Sequence, residues 1–123
     1  MLNGYRAANG LAPLTHNAQL GTATERHAAD MATTNIIGHV GSNRLDPFRR
    51  MERVGYDSTW SGENVFWGSG WASSAMAWWK RSPEHNKNML FPHFTEIGIA
   101  RVFNVSSQYG WYWTTTFGKP RNG

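Results

Sequence analysis

The sequence predicts an α+β domain, in which helices from the first two thirds of the chain pack on an antiparallel sheet formed near its end. Apolar residues first recur at spacings of three and four, which is the period of amphipathic helices. In the last third the period changes to two, which is typical of strands. The 123 residues contain no repeat or linker, so we expect one domain over residues 1–123, and 40% hydrophobic residues argue against disorder.

Two helices are predicted in the first part of the chain. Residues 2–9 favour a short helix that ends at Gly10, and residues 17–35 favour a longer helix capped by Asn17. The long helix has one apolar face, on which four residues recur at helical spacing: Leu20, Ala23, His27 and Met31.

Three more helices are predicted in the middle of the chain. Asp46 is a suitable N-cap for a helix that stops at Gly55, and three of its residues are expected to point inward: Phe48, Met51 and Val54. Residues 71–79 favour a helix with one stripe formed by Trp71, Ala75 and Trp78. Ser82 and Pro83 end that helix and begin the fifth one, with Ser82 as its cap.

Strands are predicted around and after these helices. Residues 56–70 are interrupted by glycines, and Glu63 is expected where a strand begins. Residues 97–103 alternate in the two-sided pattern of a mostly buried strand. Residues 104–110 then form a hairpin loop, and residues 111–117 return as the second strand.

The charge balance is basic, with 12 Lys and Arg against 8 Asp and Glu and a net charge of +4. This excess favours contact with an anionic surface such as cell-wall polymer, lipid headgroups or nucleic acid, without identifying one of them. The densest basic stretch is interpreted chiefly as a solvated face, with a docking patch as the alternative: Arg44, Arg49, Arg50 and Arg53.

Targeting signals and cysteines leave the compartment open. No apolar run approaches the roughly 20 residues of a membrane span, and no signal peptide is visible. The abrupt start suggests a domain cut from a longer precursor. The absence of cysteine fits a reducing cytosol and a bacterial secreted protein equally well.

His39 and His85 are the histidines that could carry chemistry. His39 lies in a glycine-containing loop where packing does not require an imidazole. His85 is the third residue of the fifth predicted helix, where the helix dipole disfavours imidazolium, and a neutral histidine can act as a metal ligand or a general base. The other three have structural interpretations: His27 as a core residue bonded to backbone, His16 as a surface residue, and His93 as structural or exposed.

Carboxylates could complete a site with these two histidines. Glu63, which precedes Asn64, could orient a histidine or ligate a metal, and Glu96 and Glu84 are further candidates. Two histidines with one or two carboxylates suit zinc or another divalent metal with open coordination positions. The spacing lacks a local motif such as H-E-x-x-H, so on its own it is a weak signal.

Other catalytic templates are absent from the sequence. It contains no P-loop, no dinucleotide-binding glycine pattern and no G-x-S-x-G motif, and without cysteine it has no thiol nucleophile. Four serines could partner a histidine, with nothing to single one out: Ser42, Ser61, Ser69 and Ser82.

The order of segments resembles the bacterial branch of the CAP superfamily (SCP-like domains). "NGYRAANGLAPLTHNAQLGTATERHAADM" is similar to the family's opening helices, and "GHVGSNRLDPFRRMERVGY" to the loop and helix that carry its first cleft histidine. "GENV" resembles its Gly-Glu-Asn signature, and "AWWKRSPEHNKNML" the element that bears the second histidine. "FTEIGIARV" and "YGWYWTTTFG" resemble its closing strands. Each motif is modest, but together and in this order they are specific.

The resemblance implies an α-β-α sandwich with a central antiparallel sheet, in a protein that is usually secreted or surface-exposed. It also implies a large cleft with two histidines and two acidic residues, which binds a divalent metal, often zinc, in several members. His39, Glu63 and His85 match three of these positions. Many eukaryotic members carry a Glu at the fourth, where this chain has Ser82, so Glu96 or Glu84 would have to supply the second carboxylate.

The resemblance leaves the activity open, since members are reported as lipid or sterol binders, as secreted defence or virulence proteins, and occasionally as proteases. We expect a secreted, monomeric, non-enzymatic module that binds a small-molecule, lipid or cell-surface ligand, and we do not expect nucleic acid or a membrane span. The alternative is a peptidase-like hydrolase with His39 or His85 as base. A third interpretation is a structural domain with a relic cleft.

Overall fold

A computed structural model of the chain describes residues 1–122 and confirms the α+β architecture. The helices are α1 (Leu2–Ala8), α2 (Ala18–Thr34), α3 (Pro47–Arg53), α4 (Ala72–Arg81) and α5 (Pro83–Met89). The strands are β1 (Thr15–His16), β2 (Ser58–Trp67), β3 (Glu96–Phe103) and β4 (Trp111–Pro120). Within the described residues, no helix combines the length and the apolar character that a membrane span requires.

The four strands form one sheet in the order β1-β3-β4-β2. β4 pairs antiparallel with both β3 and β2, as expected for the hairpin. The sheet is nevertheless mixed, because the two-residue β1 runs parallel to β3. The backbone N–H groups of Thr15 and Asn17 donate to the carbonyls of Thr95 and Ile97, so the chain adds a short edge strand just before α2 begins.

Helices cover both faces of the sheet and produce the three-layer α-β-α arrangement. Successive side chains of β4 point to opposite faces. One face packs against α1, α4 and α5 in the largest apolar cluster: Leu2, Leu14, Ala75, Met76, Trp79, Met89, Phe94, Trp113 and Phe117. The other face packs against α2 through Met31, Ala32, Val65 and Tyr112, and α2 packs against α3 through Leu20 and Met51.

The predicted caps of two helices are confirmed by side-chain hydrogen bonds. The Asn17 side chain accepts from the Leu20 N–H at the start of α2, and the Asp46 side chain accepts from the Arg49 N–H at the start of α3. α3 is followed by Gly55 with φ of +84°, a left-handed conformation that suits glycine at the end of a helix.

The predicted stripe on α4 is confirmed at Ala75 and wrong at both of its tryptophans. Trp71 and Trp78 are 76% and 48% exposed, whereas Ala75, Met76 and Trp79 are buried. Because Trp78 and Trp79 are adjacent, the apolar pattern of the sequence does not show which of them is buried. The structure chooses Trp79, whose indole Nε1 also donates to the Val65 carbonyl at 3.0 Å.

Two other predictions of burial are also wrong. Phe48 is 41% exposed, although Met51 on the same helix is fully buried. β3 is not mostly buried, because Ile99 and Phe103 are 46% and 52% exposed while Gly98 is buried. The α1/α4/α5 layer packs on β4 and the start of β3 and leaves the rest of that face of β3 uncovered.

β2 is an edge strand whose outward carbonyls are partly covered by side chains. The Glu63 carbonyl accepts from Asn88 Nδ2 at 3.1 Å, and the Val65 carbonyl accepts from the Trp79 indole. These bonds satisfy backbone groups that an edge strand otherwise leaves free. They also fix α4 and α5 beside the middle of β2, where the candidate site lies.

Candidate functional site

The structure brings His39 and Glu63 together at the edge of β2. His39 comes from the loop between α2 and α3, and its Nδ1 lies 3.0 Å from Glu63 Oε1. Because a carboxylate can only accept, the Nδ1 of His39 carries a proton and donates it. The His39 side chain is 49% exposed, so its ring is open to solvent while its orientation is fixed from the buried side.

Glu63 is buried and shared with an arginine that the sequence analysis assigned to a solvated face. Arg50 Nη2 donates to Glu63 Oε2, and both side chains are nearly inaccessible to solvent. Arg50 Nη1 also donates to the carbonyls of His39 and Leu45 at 2.6 and 2.9 Å. The interpretation of Arg50 as a surface cation is therefore wrong, because this guanidinium neutralises the carboxylate and anchors the His39 loop.

A signal for this role was present in the sequence. Arg50 directly precedes the buried Met51 and lies four positions before the half-buried Val54, which places it at the border of the apolar face of α3. A long cationic side chain at such a border can turn inward when a carboxylate is available there. Nothing in the spacing identifies Glu63 as that carboxylate.

His27 lies beneath the same carboxylate. Its Nε2 is 2.7 Å from the Gly38 carbonyl, which confirms the predicted backbone-bonded core histidine. Since a carbonyl can only accept, Nε2 carries the proton, and the buried Nδ1 has no partner within residues 1–122. Burial lowers the pKa of His27 and outweighs the opposite effect of Glu63, whose Oε1 is 4.0 Å away.

His85 approaches from α5 on the other side of β2. Its Nδ1 lies 2.7 Å from Ser82 Oγ, so this hydroxyl engages the imidazole and does not cap α5 as predicted. Burial lowers the pKa of His85, and the nearby His39 lowers it further. Both effects act in the same direction, so His85 is neutral near pH 7.

Two side-chain amides, the buried Asn64 and the half-buried Asn88, hold β2 and α5 together around this cluster. Asn64 Nδ2 donates to the His85 carbonyl at 3.0 Å, and Asn88 Nδ2 donates to Asn64 Oδ1 at 3.0 Å and to the Glu63 carbonyl. Asn64 is fully buried. Asn88 belongs to the element that resembles the family's second-histidine motif, but no role was predicted for it. The network fixes the backbone from which His85 projects.

The structure does not bring Glu96 or Glu84 into this cluster. Glu96 Oε1 accepts from the Tyr56 hydroxyl at 2.8 Å and from Asn17 Nδ2 at 3.5 Å. Glu96 belongs to β3, and β4 separates that strand from β2, which carries Glu63. Glu84 is exposed on α5.

His39 and His85 are the residues of this cluster that could ligate a metal. Within residues 1–122, no group of three or more His, Asp or Glu side chains is placed to hold a metal ion. In the same residues, His39 and His85 each have Nδ1 engaged, by Glu63 and Ser82, and no protein partner at Nε2. With Nδ1 engaged, Nε2 is the nitrogen through which each of these two imidazoles could ligate a metal.

Comparisons with known proteins agree with this architecture. Residues 1–117 match the model of the Cysteine-rich secretory protein family, CAP. The YkwD protein of Bacillus subtilis is 30% identical over 95% of this chain and 44% of its own length. The membrane protein YlbC of the same organism is 26% identical over 80% of this chain and 29% of its own length. The chain therefore spans less than half the length of both relatives.

Two solved structures share the fold. An extracellular protein containing a SCP domain from Bacillus anthracis superimposes with a TM-score of 0.84 and 23% identity, over 96% of this chain and 37% of that one. An outer surface protein of Borrelia burgdorferi gives a TM-score of 0.88 with 18% identity, over 98% and 87%. The family model covers nearly the whole chain, and the fold and the order of motifs agree with it. This cysteine-free chain therefore belongs to the CAP family of cysteine-rich secretory proteins.

Proposed function

We propose that this CAP domain is a non-enzymatic binding module that acts outside the cell or on its surface, and that its cleft takes a divalent metal, with zinc as the first candidate. The observation that carries the proposal is the pair of imidazoles, His39 and His85, each held at Nδ1 with Nε2 available. The extracellular and outer-surface descriptions of the structural neighbours support the location.

In this proposal His39 and His85 hold the metal, while Glu63 and Ser82 orient their rings. A bound metal would supply a positively charged centre with open positions for an oxygen-containing ligand. Metal binding requires neutral imidazoles, and the lowered pKa of His85 keeps that ring neutral near pH 7. Arg50 neutralises Glu63, so the carboxylate orients His39 without attracting cations strongly.

The ligand class we propose is a small molecule, a lipid or a component of a cell surface, bound by a monomer. The net charge of +4 favours anionic representatives of these classes. The hydrolase alternative stays a prediction, and turnover that survived both His39→Ala and His85→Ala would exclude histidine-based catalysis.

A thermal unfolding experiment with zinc tests the metal site. Because a ligand of the native state stabilises it, zinc should raise the Tm by several degrees near pH 7 and by less as the pH falls toward 5. The His39→Ala/His85→Ala double variant should lose this shift. A matched double variant, His16→Ala/His93→Ala, removes two exposed histidines and should keep it. An equal zinc shift in the first double variant would show that the site is assigned wrongly.

A further inference from the structure

A second surface of the molecule exposes aromatic rings away from the cleft. It lies where the α1/α4/α5 layer leaves the sheet uncovered, and we call it the aromatic terrace: Trp71, Ile99, Arg101, Phe103 and Trp111. Trp71 is 76% exposed and Phe103 is 52% exposed. Contiguous exposed apolar surface of this kind marks a binding site more often than chance exposure does.

The loop at residues 68–71 packs against Trp111, one ring of the terrace, and against its neighbour Trp113. The Gly68 N–H donates to the Trp111 carbonyl at 3.0 Å, and Trp113 Nε1 donates to the Ser69 carbonyl at 2.8 Å. The Trp111 indole packs on Gly70 so closely that a Cβ there would lie 2.6 Å from the ring. A hollow of about 320 Å³ remains, lined by Gly70, Trp71, Arg101 and Trp111.

Arg101 places a positive charge within this aromatic surface. Its guanidinium lies 5.1 Å from the Trp111 ring and 5.7 Å from the Trp113 ring, and Nη1 donates to the Gly70 carbonyl at 2.7 Å. Among residues 1–122 no carboxylate forms an ion pair with it, and this is the one hydrogen bond that its guanidinium makes. The remaining N–H groups are available to an anionic partner.

This combination selects one class of ligand. The C–H faces of sugar rings stack on flat aromatic rings, and a guanidinium binds carboxylate through paired hydrogen bonds. The hollow between Trp71 and Trp111 can receive a single sugar ring, whereas a flat bilayer cannot enter it. We propose that the aromatic terrace binds an acidic glycan, a polysaccharide chain whose sugar rings carry carboxylates. The inference goes beyond the cleft and does not depend on metal binding there.

Two matched tetrasaccharides test the proposal. One alternates N-acetylglucosamine with N-acetylmuramic acid and carries a lactyl carboxylate on every second ring, and the other is chitotetraose, which has none. Titrations of the 123-residue domain in EDTA, followed through the tryptophan indole N–H signals by NMR, keep the result separate from that of the zinc experiment. The acidic chain should bind about tenfold more tightly than the neutral one, and salt should weaken only the acidic chain.

Three variants separate stacking from charge recognition. Trp71→Ala should weaken both sugars about tenfold, and Arg101→Gln should reduce the acidic chain to the affinity of the neutral one. The control is Trp60→Ala, which removes another exposed tryptophan near the opposite end of β2 and should leave both affinities unchanged. Trp71 projects into solvent, and an unchanged Tm of its variant would verify folding.

Three results would overturn the inference. The first is equal affinity of the wild-type domain for the two sugars. The second is a loss of binding in Trp60→Ala as large as that in Trp71→Ala. The third is binding of phosphatidylglycerol vesicles that depends on Trp71 while neither sugar binds, which would make the terrace a membrane-contacting surface.

Discussion

The two faces of the sheet are stabilised in different ways. The face under α1, α4 and α5 is mainly apolar and aromatic, with Trp79 and Phe117 fully enclosed, and its buried Arg6 and Asn64 side chains donate to backbone carbonyls. The face under α2 and α3 buries polar and charged side chains beside its apolar clusters, and these include the Arg50–Glu63 ion pair: Thr24, His27, Arg50, Glu63 and Thr116. Of the candidate site residues, Glu63 belongs to this second face, whereas His39 comes from the loop beside it and His85 from α5 on the other side of β2.

This difference indicates which kinds of substitution should destabilise each face. An apolar contact loses stability in proportion to the area and volume removed. A buried polar group depends on its partner, because the loss of that partner leaves an uncompensated charge or hydrogen bond. The α2/α3 face should therefore respond sharply to single substitutions and to pH. The α1/α4/α5 face should respond to the size of its apolar side chains and, at Trp79, to the loss of the indole donor.

The largest effect is expected for Arg50→Met. It leaves the Glu63 carboxylate buried without its guanidinium and frees the carbonyls of His39 and Leu45. We expect the free energy of unfolding, measured by urea denaturation, to fall by about 3–5 kcal/mol.

Two further variants check this explanation. Arg49→Met changes a neighbouring side chain that is 67% exposed, and its effect should stay within about 0.5 kcal/mol. The double variant Arg50→Met/Glu63→Leu removes both charges and should recover part of the loss. A double variant less stable than Arg50→Met alone would contradict the view that the unpaired carboxylate is the cause.

A smaller effect is expected for Trp79→Phe on the apolar face. The phenyl ring keeps most of the buried area but cannot donate to the Val65 carbonyl, which should lower the free energy of unfolding by about 1–3 kcal/mol. Trp78→Phe is the matched control, since Trp78 is 48% exposed and its variant should stay within about 0.5 kcal/mol. Equal losses in the two variants would mean that the assignment of Trp79 as the buried tryptophan is wrong.

The sequence predicted the elements well because their signals are local. The apolar period of the long helix identified Leu20 and Met31 as buried, and short polar side chains at Asn17 and Asp46 identified helix starts. The exposed half of β3 could not be predicted in this way. Alternation shows that a strand has two faces, but whether another layer covers a face depends on the lengths and positions of helices elsewhere in the chain.

The site was predicted only in part for a related reason. Histidines in unusual settings, together with the family resemblance, selected His39, Glu63 and His85, and the structure places His39 on Glu63. Arg50 and Asn88 were missed because their contacts join residues 13 and 25 positions apart. Such pairings depend on how α3 and α5 dock on β2, which no local pattern records. The same dependence explains why Glu96, a plausible carboxylate in the sequence, is bonded to Tyr56 instead.

The smallest effect is expected for His27→Gln, which should change how the free energy of unfolding depends on pH. Burial lowers the pKa of His27 in the folded protein, so the unfolded chain takes up a proton near pH 6.5 while the folded chain does not. Stability from this group is therefore complete above about pH 6.5 and decreases as the pH falls, by up to about 1.4 kcal/mol per pH unit.

Glutamine can still donate to the Gly38 carbonyl but does not titrate, so the variant should lose stability less steeply between pH 6.5 and 5. A weaker dependence of the unfolding free energy on pH should remain, because the pKa of His85 is lowered too. His16→Gln is the control, since its ring is exposed to water in the folded and unfolded chains alike. If urea denaturation at several pH values gave the same pH dependence of the unfolding free energy for wild type and His27→Gln, the buried imidazole would not be what makes the α2/α3 face sensitive to acid.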